Sequence, residues 1–193
     1  MTRGIAGLSA DANRRLATAV HESAHACLAV VQDLRVDRAE LLSTPARIGQ
    51  QPHAAGYVKF EPYGSLGEHR APVALAAGAA AEMTFDAGRA PSLKEVLVAL
   101  STHHTHDNGE IERMSFAHGQ NPMGAVLDAL PQVSRLWGPI CRLSLQLDKQ
   151  RRIEHADVLA ALSIPSATDA HRYTRAIREG AEPGSLYAAG RYY

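Results

Sequence analysis

ADANRRLATAVHESAHACLAVV, residues Ala10–Val31, decides how the rest of the chain is read. Leu16, Ala19, Val20, Ser23, Cys27, Val30 and Val31 recur at helical spacing, with Arg14 and Arg15 on the opposite face. The spacing predicts one long helix, with Ser9 as its N-cap. Inside it stands His21-Glu22-Ser23-Ala24-His25, an H-E-x-x-H pattern. Residues four apart lie one turn apart on the same helix face, so both imidazoles can reach a single metal ion. Zinc accepts neutral imidazole nitrogen, and Glu22, one position past the first ligand, stands beside the ion as a general base and acid for hydrolysis. The competing reading is a histidine pair satisfied in the core, without metal.

Working outward, Leu34 to Leu42 alternates apolar and charged residues as a strand does. A loop with Pro45, Gly49 and Pro52 follows, and Gly56 to Phe60 reads as a second strand that could close a long-looped hairpin. Pro72 to Phe85 is an Ala-rich helix whose small residues suit close helix packing in the core. Helices are expected over Ser92–Leu100, Glu110–His118, Pro122–Leu130, Gln132–Gln150 and Ala156–Leu162. His103 to Gly109 reads as a polar turn, and the Glu110 helix could start as early as Asp107. The expected class is α+β and mainly helical: the H-E-x-x-H helix, a small β-hairpin, and a helical bundle that completes a zinc site. Composition changes at Pro165. Residues 1–164 are therefore expected to form the domain, and 165–193 a C-terminal extension with a disordered tail as the default. A short helix over Arg172, Tyr173, Arg175, Ile177 and Arg178 and contacts by Tyr187, Tyr192 and Tyr193 are the alternatives.

The 193 residues carry 20 basic and 20 acidic side chains, a balance that argues against a general electrostatic grip on nucleic acid or anionic lipid. Met1 to Leu8 does not read as a signal peptide, and no apolar run approaches the ~20 residues of a membrane span. Cys27 and Cys141 are expected to be reduced and buried, which points to the cytoplasm. No G-x-x-x-x-G-K-[ST] stretch occurs, so the sequence contains no P-loop. Ten histidines stand out against two cysteines, and histidine is the commonest metal ligand.

A catalytic zinc takes three protein ligands and keeps a fourth position open. The residues after His25 lack the Gly and third His of the extended H-E-x-x-H-x-x-G-x-x-H pattern. The third ligand must come from further along. Glu82 on the Ala-rich helix, Asp107, Glu110, and the cluster His103, His104 and His106 are the candidates.

His21-Glu22-Ser23-Ala24-His25-Ala26 resembles the His-Glu-Ala-Gly-His-Ala of the peptidase domain in FtsH-type AAA proteases. Gly56-Tyr-Val-Lys-Phe60 looks like that domain's hairpin, Ala77-Gly78-Ala79-Ala80-Ala81-Glu82 is similar to its Gly-Gly-Arg-x-Ala-Glu segment, and Trp137–Leu162, with Asp157-Val158, resembles its closing helices. The likeness covers about Arg15 to Ser163. It implies a zinc metallopeptidase in which His21, His25 and an Asp hold the ion and Glu22 is catalytic. Asp107 is the preferred third ligand, because the family uses Asp and because Ile111 and Met114 then face inward together. Glu110, within Glu110-Ile111-Glu112-Arg113, matches the family's Asp-Leu-Glu-Arg in local order and is the alternative. By the same likeness Glu82 becomes an outer partner of a histidine. Two departures stand out. Ala24 replaces the family's Gly, and the ATPase and membrane segments are missing. The implied activity is cleavage of peptides or unfolded segments without an ATPase in this chain. The resemblance further implies a homo-oligomer or a separate ATPase partner. A catalytically degenerate metal-binding module that serves as a protein-binding partner is the rival reading.

Overall fold

The computed structural model describes residues 8–43, 54–62 and 64–186. The loop expected around Pro45, Gly49 and Pro52, and Tyr187, Tyr192 and Tyr193, lie outside them. Helix α1 spans Ala10–Val31, as its periodicity predicts. The Ser9 hydroxyl accepts from the Ala12 amide at 3.2 Å and closes the first turn. From Ala19 to Val31 every residue is buried, so α1 is the axle of the molecule rather than a surface helix. It stops at Gln32, and Asp33 adopts a left-handed φ of 62° that turns the chain into the sheet.

Strands β1 (Leu34–Ser43) and β2 (Ala54–Pro62) pair antiparallel with Leu34 opposite Pro62 and Ser43 opposite Ala54. This is the anticipated hairpin, longer by a few residues at each end of β2. A two-residue β3 (Arg152–Ile153) pairs with β1 at Ala39 and Glu40, giving the order β2-β1-β3. The sheet covers one side of α1.

Helix α2 (Gly64–Ala87) covers another. Its expected start at Pro72 is corrected, since the helix begins two turns earlier and carries Pro72 inside. A proline costs one amide donor and crowds the carbonyl four residues back. Here the upstream turn is held by tertiary contacts, through buried Ala71 and the ion pair of Arg70 with Asp33 at 2.6 Å. Ala74, Ala77 and Ala81 are buried without residue, and their small size lets α1 and α2 approach closely.

The remaining helices are α3 (Leu93–Thr102), α4 (Thr105–Ala117), α5 (Pro122–Arg135), α6 (Trp137–Gln150), α7 (His155–Ala161) and α8 (Ala170–Arg178). Eight helices and a three-stranded sheet among the described residues make the chain α+β and mainly helical. Two boundaries differ from expectation. The break anticipated at Pro131 falls at Leu136, because Pro139 cannot donate to the carbonyl of Arg135 and suits the first turn of a new helix. The polar turn His103–Gly109 is helical from Thr105, so Asp107 sits in the first turn of α4, where a carboxylate meets the positive end of the helix. Cys27 is buried, Cys141 only partly, and both are free thiols. Among the described residues no helix is long and apolar enough to cross a membrane.

The extension after Pro165, expected by default to be a disordered tail, contributes α8, which docks on the end of α1 through buried Ile177. Asp33 is the anchor. It takes Thr174 Oγ1 at 2.7 Å, Arg178 Nη2 at 2.9 Å and Arg70 Nη1 at 2.6 Å, with His171 Nδ1 3.5 Å away, while Arg178 also donates to the Val31 carbonyl. Burial pushes the Asp33 carboxyl up, but its bonds to Arg178 and Thr174 outweigh that and hold it below its ordinary value. A depressed carboxylate contributes stability above its unfolded pKa and loses it as pH falls through the folded value. Acid below about pH 4 is therefore expected to release α8 first. Asn tolerates the left-handed backbone, so Asp33→Asn removes the charge and one of the two acceptor oxygens without backbone strain, and it should cost about 1.5–3 kcal/mol. Urea midpoints at neutral pH and hydrogen exchange of the α8 amides measure both effects, and a variant as stable as wild type would refute them.

Candidate metal centre

Helix α1 presents His21 and His25 one turn apart on the side facing α2 and α4. Their relative exposures are only 8% and 5%, and that of Glu22 is 6%. His21 Nε2 and His25 Nε2 lie 2.9 Å apart. Asp107 Oδ2, carried in by α4, lies 3.1 Å from His21 Nε2 and 3.5 Å from His25 Nε2. Three ligand-type atoms thus converge. Two zinc ligands at tetrahedral angles are on the order of 3.4 Å apart, and these three separations bracket that distance.

The rings are oriented to offer those atoms. His25 Nδ1 is 2.9 Å from the Ala74 carbonyl, which can only accept, so Nδ1 carries the proton and Nε2 its lone pair. On His21 the Nδ1 edge faces Glu82 Oε2 at 3.1 Å, a contact too far off the ring N–H direction to count as a formed hydrogen bond. The formed hydrogen bond of His21 is at Nε2, which donates to Asp107 Oδ2 at 3.1 Å, so this nitrogen carries a proton here. An ion would displace that proton, and Glu82 beside Nδ1 would then favour a proton on that edge, the kind of outer support that sets ligand orientation and basicity.

His21 Nδ1, Glu82 and His104 form a second close group of ligand-type side chains. Ring orientation argues against an ion there. His104 stacks on His21 with centroids 4.8 Å apart and planes inclined by 24°, so the in-plane lone pairs run nearly side by side instead of meeting. His104 is better described as a lid on the His21 ring.

Charge explains why this cluster suits a cation. Burial disfavours a protonated His21, but Asp107 and Glu82 outweigh it and raise its pKa to about 10. Burial alone would raise Asp107, yet its contacts with His21 and His25 hold the carboxyl far below the ordinary range. Glu82 is likewise pulled down against burial by His21. In the isolated chain a proton on His21 balances these carboxylates; a divalent ion fills the same electrostatic need. For Glu22 burial dominates and pushes the carboxyl up, with His25 and His21 opposing. That direction suits a group that must accept a proton near neutral pH.

Two glycines keep the space open. A Cβ built on Gly78 of α2 would lie 2.5 Å from His25 Nε2, 2.6 Å from His25 Cε1 and 2.6 Å from His21 Nε2, so a side chain there would overlap both rings. A Cβ on Gly56 of β2 would lie 2.6 Å from Glu22 Cγ and 2.8 Å from its Oε1. The residues therefore fit a divalent ion: three ligand-type atoms converge, the His25 tautomer leaves its Nε2 lone pair free, and no side chain crowds the two rings at Gly78.

The structure brings together His21, His25, Asp107, Glu22 and Glu82. It does not bring Glu110, which turns outward and pairs with Arg113 at 2.6 Å, nor the exposed His103 and His106. Gly78, Gly56 and the Ala74 carbonyl are additions that sequence reasoning missed. One signal was present for Gly78, a helix-weakening glycine inside an unbroken alanine run. Scanning the chain against protein-family models gives no match, and a search of curated proteins finds no similar protein.

Proposed function

We propose that the chain is a zinc metalloendopeptidase that hydrolyses peptide bonds in peptides or unfolded protein segments. The observation that carries the proposal is the orientation of the two histidines. His25 Nδ1 donates to the Ala74 carbonyl, His21 Nδ1 lies beside Glu82, and both Nε2 atoms face Asp107 Oδ2. His21, His25 and Asp107 would hold the ion, which leaves a fourth position for water or substrate. A zinc ion there supplies Lewis acidity to the scissile carbonyl and to the attacking water. Glu22 takes the proton of that water and returns it to the departing amine. Its buried carboxyl, raised by desolvation, has the proton affinity for both transfers. The Gly56 backbone passes against Glu22, so an extended substrate lying beside β2 would meet the base directly.

The likeness to the peptidase domain of FtsH-type AAA proteases, drawn from the order of motifs, supports the same reading. Substrates would be unfolded already or opened by a separate ATPase partner. Two unpaired thiols fit a reducing, cytoplasmic setting.

Metal analysis of the purified protein tests the first layer. The expected result is about one zinc per chain, lost in His25→Ala. Zinc-supplemented protein that binds none would instead establish a metal-free histidine pair and end the proposal.

A further inference from the structure

Away from the metal centre, α2, α5 and the α8 docking site enclose a cleft of about 610 Å³. That lies within the ~300–1,000 Å³ typical of small-molecule sites. Arg70, Arg135 and Arg178 line it. Each guanidinium is tethered at one end: Arg70 to Asp33 at 2.6 Å, Arg178 to Asp33 at 2.9 Å and to the Val31 carbonyl, and Arg135 Nη1 to the Ile177 carbonyl at 2.9 Å. A guanidinium has five N–H donors, so tethering leaves donors over while removing much of the entropy a free arginine would lose on binding.

The surroundings favour a negative guest. The three guanidiniums are set against two carboxylates, Asp33 behind Arg70 and Arg178 and Asp128 on the wall, which leaves one net positive charge. The first turn of α5 also faces the cleft at Gly124, where the helix end adds partial positive charge. Gln32, 3% exposed, donates to Gln132 Oε1 at 2.8 Å, and Gln132 donates to the Asp128 carbonyl at 2.9 Å. These bonded amides make a fixed polar wall. None of the lining residues belongs to the metal centre.

We propose that this cleft is a second ligand site, which binds a small molecule through a carboxylate or phosphate group held by Arg70, Arg135 and Arg178. Titration calorimetry at low salt, with inorganic phosphate and with succinate as probes, tests it. Arginine replacement would also loosen α8, so the informative changes lie on the α5 wall. A Cβ on Gly124 meets nothing within 4 Å, and an acid in a first helical turn is favourable, so Gly124→Asp should fold and weaken binding about tenfold or more. Gly124→Ala should leave it unchanged. Asp128→Asn should tighten it several-fold, a gain that a merely structural role would not produce. Chelator treatment should leave every affinity unaltered, which separates this site from the metal centre. Binding of one probe alone supports the proposal and identifies the oxyanion. The absence of saturable binding for both probes, or affinities blind to both charge changes, overturns it.

Discussion

Glu22→Gln is expected to slow peptide hydrolysis by orders of magnitude while zinc remains bound. Gln keeps the size and shape of Glu but has no carboxylate to accept a proton. General-base catalysis of this kind contributes roughly 10²–10⁴-fold in rate, and that is the expected fall in kcat. The fold should survive. The side chain is buried against α1's neighbours and Gly56, and an isosteric amide keeps that packing without the desolvation that raises the Glu22 carboxyl. Zinc should stay because the atoms that converge belong to His21, His25 and Asp107. Paired assays on an unfolded protein and a diverse peptide library, alongside metal analysis, read both effects. Wild type and variant that hold zinc and are equally inert would favour the metal-binding module instead.

The second large effect comes from one methyl group. Gly78→Ala is expected to eliminate metal binding while leaving the helical fold intact. Alanine is the better helix former by about 1 kcal/mol, so α2 itself gains. The new Cβ, however, would stand 2.5 and 2.6 Å from the two Nε2 atoms and 2.6 Å from His25 Cε1, so both rings would have to leave the positions from which they converge. Neither ring can retreat freely. His25 is tied to the Ala74 carbonyl, and His21 lies between Glu82 and Asp107 with His104 stacked on it. The loss should exceed the ~10–100-fold that disturbing an outer partner costs. Calorimetric zinc titration with circular dichroism separates metal loss from unfolding. A variant that binds zinc as wild type does would show that the ion, if bound, sits elsewhere.

Much of this arrangement was legible in residue order. The pattern His21-Glu22-Ser23-Ala24-His25 on a helix with apolar flanks implies a shared face, because helical geometry alone puts i and i+4 together. The bounds of α1 and the cap at Ser9 followed from the same periodicity. Asp107 was harder. Its chain neighbours are polar, so a turn was the natural reading, and only the docking of α4 beside α1 and α2 shows it in a first helical turn aimed at both histidines. Glu110, the candidate that matches the family's motif in local order, faces solvent one turn later. Local order cannot separate them, because a helix sends residues three apart to neighbouring but distinct directions.

The extension after Pro165 makes the same point. Its polar composition suggests a tail, yet one buried isoleucine and a carboxylate at Asp33 dock it. Asp33 is more than 140 positions away, and pairing over such a separation leaves no periodic trace.

By itself, then, the sequence determined the central helix, the histidine pair with its neighbouring carboxylate, and the mainly helical class, because each depends on contacts within a few residues. The tertiary structure decided which distant acid meets the pair, which nitrogen of His25 keeps its lone pair, and that Gly78 leaves room for the two rings. Those depend on how three helices pack, and close packing makes a single missing Cβ the condition for the two rings to converge.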